Sequence, residues 1–429
     1  MKRIVVVGGG AGGLELVTRL GHKFGKAKQA EIVLVDRSRT HIWKPLLHEV
    51  ATGSLDMNTD GISYRAHSAK HHYQFQLGCM TGMNAEKKVI ELEALNDDEG
   101  HQLLPARELE YDILVLAVGS VSNDFGTPGV ADNCYFLDSH KQAERFQQAL
   151  LNQFLRIQQG TGNDNLKLSI VGGGATGVEL SAELYHVADL LKAYGMPAVS
   201  AKRLEVELIE AGERILPALP DRIANSARSE LSRLGVKVSE SKRIIRAEAT
   251  GFIDANEKLI EADMMIWAAG VKAPDFIAKL EGFETNRNNQ VLVKPSLQSK
   301  SHDNVYVIGD CCACIQPDGS FVPPRAQSAH QMASLVFKNI QASFRGEPLQ
   351  DYLYKDHGSL VNLSRYSTVG SLMGNLTAGS MFVEGRIARL VYVSLYRLHL
   401  IAIHGWAKAL VIMAAQKIGK VIKPKMKLH

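Results

Sequence analysis

The stretch that decides the fold is RIVVVGGGAGG, Arg3 to Gly13, a β-branched run that ends at Val7 and passes at once into Gly8-Gly9-Gly10-Ala11-Gly12-Gly13. Read as Gly-x-Gly-x-x-Gly, its glycines are Gly8, Gly10 and Gly13, and a predicted helix runs on to about Phe24. The first glycine permits a tight turn, and the second lets backbone N–H groups approach a pyrophosphate. The third lets helix pack on strand, with the phosphate on the helix N-terminus. A second buried strand, Glu31 to Val35, ends in Asp36, a carboxylate placed to accept hydrogen bonds from a ribose.

The pattern then recurs. Leu166 to Val171 reads as a strand, Gly172-Gly173-Gly174-Ala175-Thr176-Gly177 as the turn, and Val178-Glu179-Leu180 as the start of a helix. Strand Glu205 to Ile209 ends in Glu210. Two complete fingerprints are far more specific than one, because independent false positives multiply. Glu210 has no Arg directly beside it, which favours a free 2′-hydroxyl and so NADH over NADPH, a preference that Arg214 is placed to soften. Tyr111 to Gly119 and Asp263 to Gly270 read as buried strands closing in small-residue turns, and Asn304 to Asp310 as a strand ending in Gly-Asp. A helix N-cap is the plain alternative for Asp310.

The chain opens MKRIVVVGGG, straight into a strand with no signal-peptide pattern, which suggests a cytosol-facing protein. Its 429 residues suit two or three domains, and its 45% hydrophobic and 22% charged composition excludes a disordered or fibrous chain. Five cysteines (Cys79, Cys134, Cys311, Cys312 and Cys314) are odd in number and uneven in spacing, unlike a disulfide framework. Cys311-Cys312-Ala313-Cys314 has soft-metal ligands, but no second Cys/His pair at zinc spacing accompanies it, so free thiols and no metal are expected.

The order of these features, spanning nearly the whole chain, resembles the two-dinucleotide-binding-domain flavoproteins. The segment His41 to Ser54 holds no cysteine, where disulfide reductases of that superfamily carry a redox pair, so dithiol chemistry there is excluded. Its Pro45-Leu46-Leu47 and Glu49-Val50-Ala51-Thr52-Gly53 are instead similar to the stretch beside the flavin in type II NADH:quinone oxidoreductases. Ala326-Gln327-Ser328-Ala329-His330-Gln331 resembles that family's A-Q-x-A-x-Q quinone motif, and Tyr354 to Gly358 its Y-x-D-x-G segment. The enterobacterial members resemble this chain through the tail as well. Many members have Lys where this sequence has His357, which changes charge and reach.

The resemblance implies one tightly bound FAD, held by Gly8, Gly9, Gly10, Gly13, Asp36, Arg37, Pro45, Gly119, Asp310, Ala326 and Gln327. It implies NADH at Gly172, Gly174, Gly177, Glu179, Glu210 and Gly270, and chemistry assisted by Glu179, Gln327, Gln331 and His357. The bland readings stand beside these. Glu179, in a first helical turn, would merely complement the helix dipole. Gln327 and Gln331, four apart, would be a solvated helix face, and His357 an exposed loop histidine. The activity implied is hydride transfer from NADH to the flavin, then two electrons to a membrane quinone, without proton pumping. Two relatives by fold remain as alternatives: a sulfide:quinone oxidoreductase using cysteines, and a flavoprotein binding NADH as a redox-controlled interaction module.

The whole chain carries 49 basic and 45 acidic residues, net +4, but from Gly385 to His429 there are nine Lys/Arg and no acid. Ile387, Val391, Leu395, Leu398, Ala402, Trp406, Ala409 and Ile412 follow steps of 3 or 4, one apolar helical stripe, with Arg386, Arg397, His404 and Lys408 opposite. No 18-residue window there is free of Lys or Arg, so an interfacial helix on anionic lipid is expected rather than a span, with Gly405 allowing two shorter helices. A dimerisation or docking helix is the alternative. The expected architecture is α/β, with two Rossmann-like domains and a C-terminal amphipathic segment that associates with membrane. Residues 1–118 and 295–375 bind FAD, 119–294 bind NADH, and 376–429 meet the membrane. The resemblance puts such a protein peripherally on the cytoplasmic face of a bacterial inner membrane, with no nucleic-acid partner and a homodimer as an option.

Overall fold

The computed structural model describes residues 1–422 and 426, except 57–60, 98, 162–164, 364–366, 374–379 and 385–395. Two compact units emerge. The first comprises Met1–Trp43, Gly61–Val121 and Val271–Lys355; the second comprises Lys44–Asp60, Ser122–Gly270 and Asp356–His429.

The first unit is built on a parallel five-stranded sheet, in the order Val305–Val307, Ile113–Leu116, Lys2–Val7, Ala30–Asp36, Gln74–Leu77. Its strands are continuous apolar runs because both faces are covered. Ile4, Val5, Val6, Val33, Leu34, Leu114, Val115 and Leu116 have no exposed surface, and each such burial contributes about 1.5–3 kcal/mol. Helix Ala11–Leu20 packs against helix Ala326–Arg345. The second unit repeats the plan with a parallel four-stranded sheet, Lys237–Ser239, Leu204–Ile209, Leu166–Val171, Met264–Trp267. In both units a three-stranded antiparallel meander, Met80–Asn84 to Arg107–Glu110 in one and Ile244–Glu248 to Leu259–Glu261 in the other, precedes the last of these strands to join from that half of the chain.

Register sets the chemistry of the strand ends. Val7 lies beside Val35 and Leu116, and Val171 beside Ile209 and Trp267. Each glycine turn therefore leaves its sheet level with a strand-end acid on one side and a small-residue turn on the other.

The unit borders differ from the division of binding roles expected from sequence. Val271 to Lys294 lies in the first unit, where Val291–Leu292 pairs with Cys312–Ala313. Lys44–Asp60 and the chain from Asp356 lie in the second. There helix Leu47–Thr52 packs on helices His140–Gln159 and Ala175–Ala193, and strand Gly358–Leu363 packs on the latter.

Near the C-terminus, residues 396–404 are helical, Gly405 turns left-handed at φ +77°, and Trp406–Ile422 forms a second helix. Arg386, Arg389, Ile387, Val391, Leu395, Lys423, Lys425 and Lys427 lie outside the described residues. Among those described, the expected single stripe does not keep one face: Leu398, Ala402 and Trp406 are exposed, Ala409 is buried and Ile412 half-buried. The left-handed residue shifts the phase of the second helix relative to the first. Within the described residues, no helix is long and apolar enough to cross a membrane.

Candidate active site

In the first turn, Gly8 has φ +101° and a Cβ there would lie 2.3 Å from the Ala117 carbonyl oxygen. A Cβ on Gly13 would lie 1.9 Å from the Gly8 carbonyl oxygen, whereas one on Gly10 would meet nothing within 4 Å. Gly8 and Gly13 are thus required by the protein's own packing. Gly10 is required by nothing in the chain, and it caps helix Ala11–Leu20 without any side-chain hydrogen bond. An open concavity over uncapped N–H groups is what a phosphate needs.

Asp36 closes the turn. Its Oδ2 accepts from the Gly9 N–H at 2.6 Å and its Oδ1 from the Ser38 N–H at 2.7 Å. Burial raises its pKa, opposed by those two bonds and by Arg37. Two residues that sequence reasoning missed finish the arrangement: Tyr64 donates its hydroxyl to the Gly9 carbonyl at 2.7 Å, and His41 Nδ1 lies 2.7 Å from the same oxygen. Asp310 caps no helix, which removes the plain alternative for it. The Gly309–Cys311 turn has no side-chain cap, and Asp310 Oδ2 accepts from Ser120 Oγ at 2.7 Å. Gly119, φ +72°, has open space where its Cβ would be. These residues fit the phosphates and hydroxyls of a dinucleotide: a cradle that one Cβ would fill, and carboxylates with acceptor capacity left.

The second turn repeats this nearly atom for atom. Gly172 has φ +114°, and its Cβ would lie 2.6 Å from the Ala268 carbonyl carbon. A Cβ on Gly177 would come within 2.1 Å of the Gly172 oxygen, and one on Gly174 would meet nothing within 4 Å. Glu210 accepts from the N–H groups of Gly173 and Gly212, both at 2.7 Å. Arg214 donates instead to the carbonyls of Leu216 and Pro217 at 3.3 and 3.2 Å and pairs with Asp221 at 3.2 Å. Gly270, φ +64°, sits under the Phe125 ring.

Glu179 is more than a helix-end charge. It is buried, and its Oε1 accepts from the Asn362 N–H at 3.0 Å. Burial pushes its carboxyl up to about 8, against the Asn362 bond and with help from Glu49 and Glu183. His48 Nδ1 stands 3.6 Å from Glu179 Oε2, and burial lowers the pKa of that imidazole. Glu183, one turn along the helix, accepts from Ser54 Oγ. Near neutral pH this is a protonated acid beside a neutral imidazole. The signals available for the missed partners were the i,i+4 spacing of Glu179 and Glu183 and the His48-Glu49 pair inside the quoted segment; nothing local pointed to Asn362.

Gln331 is tied at both ends of its amide to the Lys355 backbone, donating to its carbonyl at 2.7 Å and accepting from its N–H at 3.0 Å. Gln327 and Ala326 open helix Ala326–Arg345, half-buried. His357 is exposed, one residue before strand Gly358–Leu363, and Asp356 Oδ1 shapes that entry by accepting from the Gly358 N–H at 2.8 Å. Pro45 lies in the Lys44–Leu46 turn.

The cysteines do not offer thiolates. Burial raises Cys311 and Cys134 to about 12, Cys314 and Cys79 to about 11, and Cys312 well above its ordinary value. Neutral thiols are poor nucleophiles, which disfavours the sulfide-oxidising alternative.

Two parallel sheets, each ending in an open glycine cradle beside a strand-end acid, are the plan of the nucleotide-dependent oxidoreductases. In keeping with that class, the family model described as pyridine nucleotide-disulphide oxidoreductase matches residues 2–333. A type II NADH:quinone oxidoreductase of Haemophilus influenzae is 46% identical over 444 aligned residues, covering 100% of both chains. One from Staphylococcus aureus is 30% identical over 88% of this chain and 91% of its own. Among solved structures, NDH2 from Plasmodium falciparum in complex with NADH superposes with a TM-score of 0.82 over 99% of this chain and 100% of its own, at 19% identity. The chain belongs to the type II NADH:quinone oxidoreductases.

Proposed function

We propose that this chain holds one FAD at the first glycine turn and oxidises NADH at the second, passing two electrons to a membrane quinone without moving protons across the membrane. The observation that carries this is the pair of cradles left open at Gly10 and Gly174, each beside an acid suited to ribose. When bound, FAD would supply the hydride acceptor and the two-electron relay. Gly8, Gly9, Gly10 and Gly13 would hold its pyrophosphate, Asp36 its ribose and Asp310 its ribityl hydroxyls, with Arg37, Gly119, Ala326 and Gln327 beside them.

Gly172, Gly174 and Gly177 would seat the NADH pyrophosphate and Glu210 its ribose, with Gly270 at the neighbouring strand end. Because Arg214 is engaged with its own loop, it is not the counter-charge beside Glu210 that would welcome a 2′-phosphate. Glu179 carries its proton near neutral pH, so it meets the nicotinamide as an uncharged donor, and His48 stays neutral beside it. Gln331 holds the Lys355 backbone, and Gln327 and His357 are the other residues this reading assigns to the quinone.

Exposed Trp406, Leu410, Val411 and Ile418 on the last helix supply apolar surface for an interfacial contact, and exposed Lys408 a charge for anionic headgroups. On this reading the enzyme sits peripherally on the cytoplasmic face of a bacterial inner membrane. Stopped-flow mixing tests the reading. NADH should bleach the flavin faster than NADPH, and a short-chain quinone should restore the colour at once. Bleaching without reoxidation would instead support the interaction-module alternative.

A further inference from the structure

Strand Met264–Trp267 runs on through Ala268 and Ala269 to Gly270, and the loop from Asn123 to Gly129 is fastened to its end. The Trp267 indole N–H donates to the Asn123 carbonyl at 2.9 Å, and the Asn123 N–H to the Gly270 carbonyl at 3.3 Å. Farther along, the Ala247 N–H donates to the Pro128 carbonyl at 2.9 Å. Between these anchors the chain reverses in a tight turn. The Thr127 N–H donates to the Asp124 carbonyl at 2.9 Å, and both central residues are left-handed, Phe125 at φ +53° and Gly126 at φ +66°. Such a turn selects Gly, Asn or Asp at its first central position, because a bulky side chain is crowded there. Phenylalanine is a costly choice.

Two local bonds hold it in place: the Phe125 N–H donates to Asn123 Oδ1 at 2.9 Å, and the Gly126 N–H to Asp124 Oδ1 at 3.2 Å. Among the described residues, the other apolar side chains at positive φ are Leu216 and Leu297. Both are buried, at 3% and 0% exposure, so packing offsets their strain. Phe125 is 66% exposed. Its ring gains little from the core, and what it does touch is the strand end: a Cβ on Gly270 would lie 2.4 Å from Phe125 Cζ.

The order of the strands decides what passes this ring. Leu204–Ile209, Leu166–Val171 and Met264–Trp267 are neighbours in one parallel sheet, with Val171 level with Ile209 on one side and Trp267 on the other. A dinucleotide lies across such carboxyl ends. With its adenosine ribose on Glu210 and its pyrophosphate on the Gly172 to Gly177 turn, its remaining half extends toward the third strand end, at Gly270.

We propose that Phe125 is the residue with which this site recognises the nicotinamide ring of NADH. The exposed phenyl packs against that ring as it arrives beside Gly270, and the strained turn holds the phenyl there in advance. This rests on the NADH-oxidising function proposed above and adds to it a residue outside both fingerprints. Flat apolar faces bury area against each other, and a side chain already in position avoids the ordering cost that a mobile one would add to binding. Gly270 serves the site by leaving room for the phenyl.

The rival is a loop that merely needs a bulky residue for its shape. Phe125→Gly separates the two, since glycine adopts the left-handed conformation readily. In the full-length, FAD-loaded variant the Tm should hold at the wild-type value. The KM for NADH and the Kd for NAD⁺ should each rise about 10-fold, the scale of one aromatic contact with its buried area. ADP-ribose has every part of NAD⁺ except the nicotinamide ring, and in competition titrations it should bind within about 2-fold of wild type. Phe125→Asn, another residue that tolerates this backbone, should show the same pattern and decides the matter if the glycine variant does not fold. Unchanged affinities for NADH and NAD⁺ overturn the inference. So does a weakening of ADP-ribose by the same factor as NAD⁺, because a misshapen loop would disturb the whole nucleotide. Wild-type flavin that NADH fails to bleach would overturn the function proposal instead.

Discussion

Set side by side, the two glycine turns share their cradle and differ in what surrounds it. In both, the first x-residue N–H bonds the strand-end acid, Gly9 to Asp36 and Gly173 to Glu210. In the first, the Gly9 carbonyl is held by two buried side chains, Tyr64 and His41. In the second, among the described residues, the Gly173 carbonyl takes a backbone N–H, that of Leu216, at 2.7 Å. The glutamate that follows, Glu15 or Glu179, is matched with Arg19 in the first unit and kept protonated in the second. One local sequence thus sits in two different settings. A turn braced by rings suits a cofactor that stays, and a turn braced by a loop backbone suits a substrate that comes and goes.

The sharpest way to break this comparison is to fill each cradle in turn. Gly10→Val and Gly174→Val both place a side chain where the structure has open space, so neither should disturb folding. Gly10→Val should purify colourless, without FAD. Gly174→Val should purify yellow and resist bleaching by NADH, with KM raised more than about 10-fold, the effect of roughly 1.4 kcal/mol. Absorbance spectra and one NADH titration are enough. If Gly10→Val retained flavin, or Gly174→Val lost it, the assignment of cofactor and substrate to the two units would be reversed or wrong.

Next in size is the contrast between the two glutamates. Glu179→Gln should keep FAD and lower turnover by about 10²-fold, the lower range for a positioned acid or base. It should also change how stability depends on pH. The folded carboxyl titrates at about 8 against an ordinary 4.5, so between those values the folded chain holds a proton that the unfolded chain has released. Stability conferred by that proton is full below about pH 4.5 and is lost as pH rises through about 8. Melting curves should therefore show the wild type losing more Tm than Glu179→Gln between pH 5 and pH 8, a stability difference on the order of a few kcal/mol. Parallel curves would mean that the carboxylate is ionised in the folded enzyme.

How much of this could be read in advance follows from distance along the chain. The turns, their acids and the repeat were legible because each is a pattern within a few residues, fixed by sterics that glycine alone satisfies. Tyr64 and His41 reach Gly9 from 55 and 32 residues away, and Asn362 reaches Glu179 from 183. Such partners leave no period in the sequence, since only the folded sheet brings them together. The tail shows the opposite case. Its apolar spacing was legible, yet one left-handed residue, Gly405, displaced the phase on which the single stripe depended. Gln331 was legible as a polar residue in a motif, but not as a bracket for the Lys355 backbone.

A smaller effect concerns the acid that ends the second strand. Glu210→Gln exchanges a charged acceptor for a neutral one, and a hydrogen bond to a charged group is worth about 1.5–3 kcal/mol. The kcat/KM for NADH should fall roughly 10- to 100-fold, while that for NADPH should fall less, because the 2′-phosphate loses a repulsion as well. Kinetics with both nucleotides give the ratio directly. An unchanged ratio would show that Glu210 serves only the Gly173 and Gly212 N–H groups and does not read the ribose.

Arg214 should matter least, although by sequence it was the residue best placed to recruit NADPH. Its guanidinium is spent on the Leu216 and Pro217 carbonyls and on Asp221, at 3.2 to 3.3 Å. The Asp221 partner is largely exposed, 81% on its side chain, and pairs of that kind contribute about 0–1 kcal/mol. Arg214→Ala should therefore change the NADH to NADPH preference by less than about 3-fold and lower the Tm only slightly. The double variant with Glu210→Gln should be additive within about 0.5 kcal/mol, since the two side chains share no partner. Strong non-additivity in the NADPH rate would mean that Arg214 leaves its loop when the acid is gone. The nucleotide preference of this turn would then depend on a loop rearrangement, and the fixed backbone brace that separates it from the first turn would be only one of its states.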